Sequence, residues 1–261
     1  MNPLRIISYI SLLLLILPVA VLLYWGLGPF NTPIGYGTQV QKSIMLTIFA
    51  SALAVVFEVV LFTPLSYFLS RNANPVAETL ADIPAVIPHP IVGVALLVLD
   101  SPLTPTGKFL LSIGINFFDT LTGLVAALVI VSAPFYIKSM QGFFQSMSPA
   151  KEYYALGLGA SRMRTFLFVV LPNSIKGLLN GALIAMSRAM SEFGSIAIVA
   201  YLLLQAPFSL SGTSPASVLI FQYYSYYGLP AAVSSSAVLI LVSIPLMIGV
   251  RLVGRIKTGT F

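Results

Sequence analysis

Long apolar runs with very few charges constrain this chain more than any other feature of its sequence. No Asp, Glu, Lys or Arg occurs between residues 6 and 41, and later runs are nearly as apolar. An apolar run of about 20 residues can cross a bilayer as an α-helix, whereas the strands of a membrane barrel would alternate polar and apolar residues. The sequence therefore predicts an all-α membrane protein.

Composition agrees with this class and narrows the possible chemistry. Charged residues make up 8% of the chain, whereas soluble domains carry about 25%. The net charge of +6 would suggest a nucleic-acid partner in a soluble protein, but here the bases flank apolar runs, where they set topology. We therefore expect the lipid bilayer as a partner and no nucleic acid. The absence of cysteine excludes disulfides and cysteine-ligated metals.

The apolar runs divide the chain into a single transmembrane domain covering residues 1–261. We predict six transmembrane helices, at about residues 6–27, 43–70, 83–99, 120–139, 176–204 and 229–252. The first run is too long for a signal peptide and lacks a clean cleavage site, so we expect it to be retained. The third begins within a proline-rich segment, so we expect an irregular start that is packed against protein.

Positive charges predict the orientation of these helices. With the N-terminus inside, ten Lys and Arg residues face the cytoplasm and two face outward, as positive-inside topology requires. Both termini are then cytoplasmic, as is the charged stretch at residues 148–176. The aromatic-rich stretch at residues 205–228 lies outside, where it either contacts an external partner or rests at the headgroup level.

The loop at residues 148–172, between the fourth and fifth predicted spans, has the pattern of a structured helix–turn–helix. Ser148 and Pro149 suit the start of a helix. Gly157 and Gly159 suit its end, and Ser161 can cap a second helix that we expect to end before the next proline. A connector without a role would be shorter and less ordered.

This loop resembles the EAA loop of ABC importer permeases, the cytoplasmic helix that docks on the ATPase subunit. The loop is named for a triplet of an acidic residue and two alanines. In this chain the triplet positions hold Tyr153, Tyr154 and Ala155, and the acidic residue, Glu152, lies one place earlier. Residues 82–89 and 191–194 also resemble the molybdate, tungstate and sulfate permeases, and the likeness extends over about residues 43–255. The matching residues of the loop are Glu152, Ala155, Leu158, Gly159, Ala160 and Ser161, followed by Leu171 and Pro172.

The resemblance implies a homodimer in a prokaryotic cell membrane, with two ATP-binding subunits on the cytoplasmic side and a substrate-binding protein outside. ATP and Mg would be bound by the partner ATPase, and we expect no cofactor in this chain. The transported anion would be molybdate or tungstate, with sulfate or another oxyanion as alternatives. The residues expected to contact or position the ATPase are Glu152, Tyr153, Tyr154, Ala155, Leu156, Leu158 and Gly159.

The sequence itself carries no nucleotide-binding loop. Gly107-Lys108 is the only Gly-Lys pair, Phe109 follows it, and Pro102 stands where a P-loop needs its first Gly. We therefore expect a permease subunit that does not hydrolyse ATP. No paired catalytic carboxylates, nucleophile elbow or zinc motif points to an enzyme either.

Ionisable groups within the bilayer are expensive, usually face the bundle interior, and are functional candidates. Arg188 and Glu192, four residues apart, can pair, and serines continue their polar stripe. This stripe either lines the substrate pathway or packs helices together. We also expect Glu58 to pair with Arg188. The only histidine suits a packing or capping role or a gate, and is a poor metal site. The pathway candidates are Glu58, His89, Ser187, Arg188, Ser191, Glu192 and Ser195.

One alternative stays open at this point. The same ionisable groups, Glu58, Arg188 and Glu192, could form the ion relay of a secondary transporter, whose uptake would follow an ion gradient without ATP.

Overall fold

The computed structural model describes residues 3–255, and these residues form helices joined by loops, with isolated β-bridges but no strand. Residues 1–2 and 256–261 lie outside this part, and with them Lys257, one of the bases counted as cytoplasmic. The helices are α1 (Pro3–Leu27), α2 (Thr38–Arg71), α3 (Pro75–Val86), α4 (His89–Asp100), α5 (Pro105–Ser112), α6 (Leu121–Ser146), α7 (Ala150–Gly157), α8 (Arg162–Asn173), α9 (Ile175–Met190), α10 (Ile196–Val199), α11 (Ala216–Tyr227) and α12 (Leu229–Arg255).

Three helices are long and apolar enough to cross a bilayer singly, namely α1, α2 and α6. They confirm the first, second and fourth predicted spans as helices. Two bent pairs, α3 with α4 and α8 with α9, raise the possible number of spans to five. The sixth predicted span coincides with α12. Within α12, the apolar segment Leu229–Pro245 is shorter than the 18 residues that a full span needs. The chain is therefore a multi-pass membrane protein, and six spans stay a prediction.

The third predicted span is not one continuous helix, and its start is irregular, as expected. Residues 83–86 belong to α3, and the chain turns by 103° before α4 begins at His89. The reason is local, because a residue before proline is pushed into extended conformation. Ile87, which precedes Pro88, has φ −74° and ψ 146°. The break is therefore encoded by the prolines, and it brings His89 to a helix end.

The fifth predicted span is wrong in its second part. Helix α9 ends at Met190, and the chain resumes helical structure only for the single turn of α10. The carboxylate of Glu192 accepts a hydrogen bond from the backbone N–H of Ser195 at 2.8 Å. Acidic side chains compete in this way with continued helix. Ser187, Ser191 and Ser195 therefore do not lie on one helical face.

Helix α8 extends further than its sequence predicts. It passes through Pro172 to Asn173, and a π-helical segment at Phe166–Val170 precedes the proline. Proline cannot donate the ordinary backbone hydrogen bond of a helix, and a wider turn relieves the crowding that its ring causes. The chain then bends by 76° at Ser174 into α9.

Helices α2, α6 and α9 pack together at the centre of the fold. The Gly177–Gly181 pair of α9 faces α6. A Cβ at Gly177 would lie 2.5 Å from the ring of Phe143, and one at Gly181 would lie 3.1 Å from Met140. Small residues at such contacts let membrane helices approach through van der Waals packing.

Helix α4 lies equally close to the broken segment after α9. A Cβ at Gly93 would stand 2.5 Å from the carbonyl oxygen of Ser195 and 2.9 Å from Cβ of Ile198. The first of these atoms belongs to the backbone, so a side chain cannot be accommodated by a rotamer change. Gly93 therefore fixes the position of the segment that carries Glu192.

We predict that Gly93→Ala lowers the free energy of unfolding by about 1–3 kcal/mol, the usual cost of overpacking. Gly142→Ala is the matched control, because its Cβ would meet nothing within 4 Å and alanine favours a helix interior by about 0.5–1 kcal/mol. Unfolding by detergent titration measures both. Equal effects at the two positions would contradict the close packing of α4.

Candidate functional site

The helix α7, in the EAA-like loop, is fixed to the membrane helices by a buried ion pair. Oε1 of Glu152 lies 2.6 Å from Nη2 of Arg71, at the end of α2. The hydroxyl of Tyr67 donates to Oε2 of Glu152 at 2.6 Å, and Nε of Arg71 donates to the same oxygen at 3.3 Å. Glu152 is buried.

The same guanidinium also caps the end of α6. Nη1 of Arg71 donates to the carbonyl oxygen of Phe144 at 2.7 Å, and Nη2 donates to that of Met147 at 3.3 Å. Unpaired carbonyls and the negative end of the helix dipole favour a cation there. One arginine side chain thus joins α2, α6 and α7. Sequence reasoning assigned Arg71 only to topology, because nothing in its spacing points to a residue 81 positions away.

The outward face of α7 is apolar and exposed. Tyr154 is 75% exposed and Leu158 is 90% exposed, and Tyr153 and Leu156 are also exposed, whereas Ala155 is half-buried. Contiguous apolar side chains of this kind mark interaction surfaces. We call Tyr153, Tyr154, Leu156 and Leu158 the α7 face.

A turn at Gly159 separates α7 from α8. Gly159 has φ +86°, a left-handed conformation that favours glycine. The N–H of Ala160 donates to the carbonyl oxygen of Ala155 at 3.0 Å and so closes the helix end. Ser161 caps α8 through the N–H of Arg164 at 3.3 Å. The turn holds the α7 face clear of α8.

A second polar site lies where α4, α6 and the end of α9 meet. Nη2 of Arg188 lies 2.8 Å from Nε2 and 2.9 Å from Nδ1 of His89. Oε2 of Glu192 lies 3.2 Å from Nη2 of Arg188 and 3.0 Å from Nδ1 of His89. At these distances the side chains of Arg188 and His89 attract Oε2, but their N–H groups do not point at it. Among the described residues, none therefore donates a hydrogen bond to Oε2. The guanidinium also lies 5.4 Å from the ring centre of Phe135. We call Arg188, His89 and Glu192 the charged cluster.

The other oxygen of Glu192 is fully engaged. Oε1 accepts from the N–H of Ser195 at 2.8 Å and from its hydroxyl at 2.9 Å. The hydroxyls of Ser187 and Ser191 donate instead to backbone carbonyls, those of Leu183 and Arg188, each at 2.9 Å. The pairing of Arg188 with Glu192 is thus confirmed, and only Ser195 among the predicted serines bonds to the Glu192 side chain.

The predicted pairing of Glu58 with Arg188 is wrong. Glu58 is fully buried between α2 and α6, where the hydroxyl of Ser132 donates to its Oε1. Arg188 is engaged by the other two members of the charged cluster. Ser132 was missed, although its position within the apolar fourth span is a signal for such a contact.

An open cavity, which Phe135 lines as well, contains a second ion pair. It has a volume of about 580 Å³, and Phe135, Ile184 and Val86 form part of its lining. Lys138 and Asp82 line it as well, with Nζ of Lys138 2.9 Å from Oδ2 of Asp82. Since Lys138 follows Phe135 by three residues on α6, both lie on one side of that helix.

Comparison with known proteins identifies the family. The family described as "Binding-protein-dependent transport system inner membrane component" matches residues 63–256. The chain belongs to this family of ABC importer permeases. Members of the family are membrane subunits, and the ATPase is a separate partner. The resemblance inferred from the EAA-like loop is therefore confirmed.

Individual relatives agree with this assignment. A molybdate/tungstate transport system permease protein, WtpB of Pyrococcus furiosus, is 36% identical over 220 residues, which cover 83% of this chain and 79% of that protein. A sulfate transport system permease protein, CysT of Synechocystis, is 29% identical over 254 residues, with 92% and 84% covered. A bacterial alginate ABC transporter, solved in complex with an alginate-bound periplasmic protein, shares the fold with a TM-score of 0.71 at 16% identity, covering 98% of this chain and 95% of that one.

We predict that Glu152→Gln lowers the free energy of unfolding by about 2 kcal/mol, because the charge that holds Arg71 is lost while the side-chain shape is kept. Glu78→Gln is the matched control, since Glu78 is less buried and bonds only to Gln141. Detergent titration measures both. An unchanged Glu152→Gln protein would contradict a stabilising role for this pair.

Proposed function

We propose that this chain is the membrane-spanning subunit of an ATP-driven importer that moves an oxyanion, molybdate or tungstate in the first place, from an external binding protein to the cytoplasm. Family membership supports the transport mechanism. The anion is inferred from the relative in Pyrococcus furiosus, which is named for molybdate and tungstate. The relative in Synechocystis makes sulfate the second candidate.

The observation that carries the coupling role is the α7 face. Its tyrosines and leucines are exposed on a short helix, and at its end, while the Glu152–Arg71 pair anchors that helix. A rigid helix with an apolar outer face suits a groove in an ATP-binding subunit, where it excludes water and transmits force. ATP and Mg are bound in that partner, and each copy of this chain contacts one such subunit.

Closure of two ATPase subunits would move α7, and the contacts of Arg71 would carry the movement into α2 and α6. Glu152 acts here as a positioning residue and Gly159 as the turn that presents the α7 face. The six spans follow from the apolar runs, and the cytoplasmic position of both termini follows from the positive-inside pattern. They place α7 and its partner on the same side of the membrane.

A homodimer completes this arrangement. The bend between α3 and α4 leaves Val86 and Pro88 exposed in the single chain. Irregular backbone at membrane depth is tolerated only where protein covers it or where it lines an aqueous cavity. A second copy would cover this region and enclose the pathway, with the charged cluster and Ser187, Ser191 and Ser195 near it.

The secondary-transporter alternative is less well supported. An ion relay needs ionisable groups in succession, but Glu58 bonds to Ser132 and Arg188 bonds within the charged cluster. Transport driven by an ion gradient without ATP is therefore the result that would contradict the proposed function in the test below.

The test is uptake of labelled molybdate, tungstate or sulfate into liposomes that contain this chain, its ATPase and a candidate binding protein. We predict ATP-dependent uptake that Leu158→Asp reduces at least about tenfold, because a charge in the centre of a desolvated contact costs several kcal/mol. Co-purification of the ATPase should fall in parallel, with unchanged thermal stability.

Leu103→Asp is the matched control for this variant. Leu103 has the same 90% exposure as Leu158 and lies between α4 and α5, on the side proposed to be external. It should leave uptake and co-purification intact. Uptake without ATP, or equal effects of the two substitutions, would overturn the proposed function.

A further inference from the structure

The charged cluster contains an oxyanion already, the carboxylate of Glu192. Its Oε2 lies within 3.2 Å of the Arg188 guanidinium and 3.0 Å of the His89 imidazole. Molybdate, tungstate and sulfate present the same kind of negatively charged oxygen, which guanidinium groups bind in a forked geometry. The geometry points to a transit site for a tetrahedral oxyanion at Arg188 and His89, which Glu192 occupies while the site is empty. This inference rests on the proposed function.

Glu192 is held in a way that permits exchange. Its Oε2 is buried yet has no aligned hydrogen-bond donor, whereas Oε1 keeps two hydrogen bonds from Ser195. An arriving anion can therefore take the contacts of Oε2 while Oε1 stays bound. The backbone of the segment also stays in place, because Gly93 packs against the carbonyl of Ser195 and the hydroxyl of Ser217 donates to the carbonyl of Glu192 at 2.7 Å.

Arg188 retains donor capacity for such a ligand. A guanidinium has five N–H donors, and within residues 3–255 the hydrogen bonds of this one come from Nη1 and Nη2, to Ser191 and His89. Its side chain is 18% exposed, although charged groups in a bilayer avoid lipid and face protein or water. The ring of Phe135 supports one face of the cation and leaves its edge available.

The neighbouring cavity gives this site a continuation. Its volume of about 580 Å³ is within the usual range for small-ligand sites. Lys138 and Asp82, which line this cavity, form a second pair of a cation and a carboxylate. An anion leaving Arg188 past Phe135 thus meets a second cation three residues further along α6. In the proposed orientation this direction leads to the cytoplasm.

The carboxylates of Glu192 and Asp82 affect how strongly an anion binds along this path. Without an anion they neutralise the cations, which would otherwise be costly in a bilayer. With an anion present they repel it, so that it does not remain bound. Passage requires binding that is strong enough to admit an ion and weak enough to release it. Glu192 is thus inferred to set how long the oxyanion stays at Arg188.

The test is equilibrium binding of radiolabelled molybdate to the purified permease–ATPase complex in nanodiscs, without ATP and without binding protein. We expect Glu192→Gln to bind about tenfold more tightly than the unmodified complex, because a like charge beside the anion is removed. The double variant Arg188→Gln with Glu192→Gln should lose this gain. Glu78→Gln removes a carboxylate from α3 outside the cluster and should change nothing.

Binding that Glu192→Gln leaves unchanged, or that survives the loss of Arg188, would overturn the inference. If Glu192→Gln prevents assembly, the unmodified complex supplies the test through its reaction with phenylglyoxal, an arginine reagent. Molybdate should slow modification of Arg188 but not of the exposed Arg162, and equal rates would again overturn the site.

The binding assay is independent of ATP, which separates the two proposals. ATP-driven uptake without the expected binding pattern would remove this site and leave the proposed function. The expected binding pattern without ATP-driven uptake would support the site and overturn the proposed function.

Discussion

A charge within the hydrocarbon of a bilayer must be paired or must face water, and the arrangement of this chain depends on that requirement. Arg188 and Glu192 satisfy each other where α9 ends, with His89 brought against them by the bend before α4. Glu58 is held separately, between α2 and α6, where one of its carboxylate oxygens accepts a hydrogen bond from Ser132. The few charged groups that enter the membrane therefore lie at helix contacts and helix ends, which are the places where a transport protein changes shape.

Two kinds of joint connect the helices of this fold. Broken helices form the first kind, with turns of 103° between α3 and α4 and 76° between α8 and α9. The contacts of Arg71 form the second, because they hold α2, α6 and α7 together through one side chain. The charged cluster lies at a joint of the first kind and the α7 face at one of the second. Movement of α7 can therefore reach the helices that surround Arg188 through α6.

The parts of the fold that depend on local pattern could be predicted from the sequence. Long apolar runs indicated α1, α2 and α6, and Gly159 indicated the turn after α7. Parts that depend on distant contacts could not. Spacing indicated the Arg188–Glu192 pair, but Glu58 and Ser132, like Glu152 and Arg71, are too far apart in sequence for spacing to pair them. The prolines indicated the break before α4, whereas the break after α9 was missed, because an apolar run conceals where a carboxylate interrupts the backbone.

The central claim is that the α7 face is the contact with an ATP-binding subunit, and site-specific cross-linking tests it most directly. Because the chain contains no cysteine, Leu158→Cys offers a single attachment point for a photoreactive maleimide. We predict cross-links from residue 158 to the ATPase in the assembled complex, and none from Leu103→Cys, which is equally exposed. An unmodified ATPase in the Leu158→Cys complex, or cross-links of equal yield from both positions, would contradict the claim.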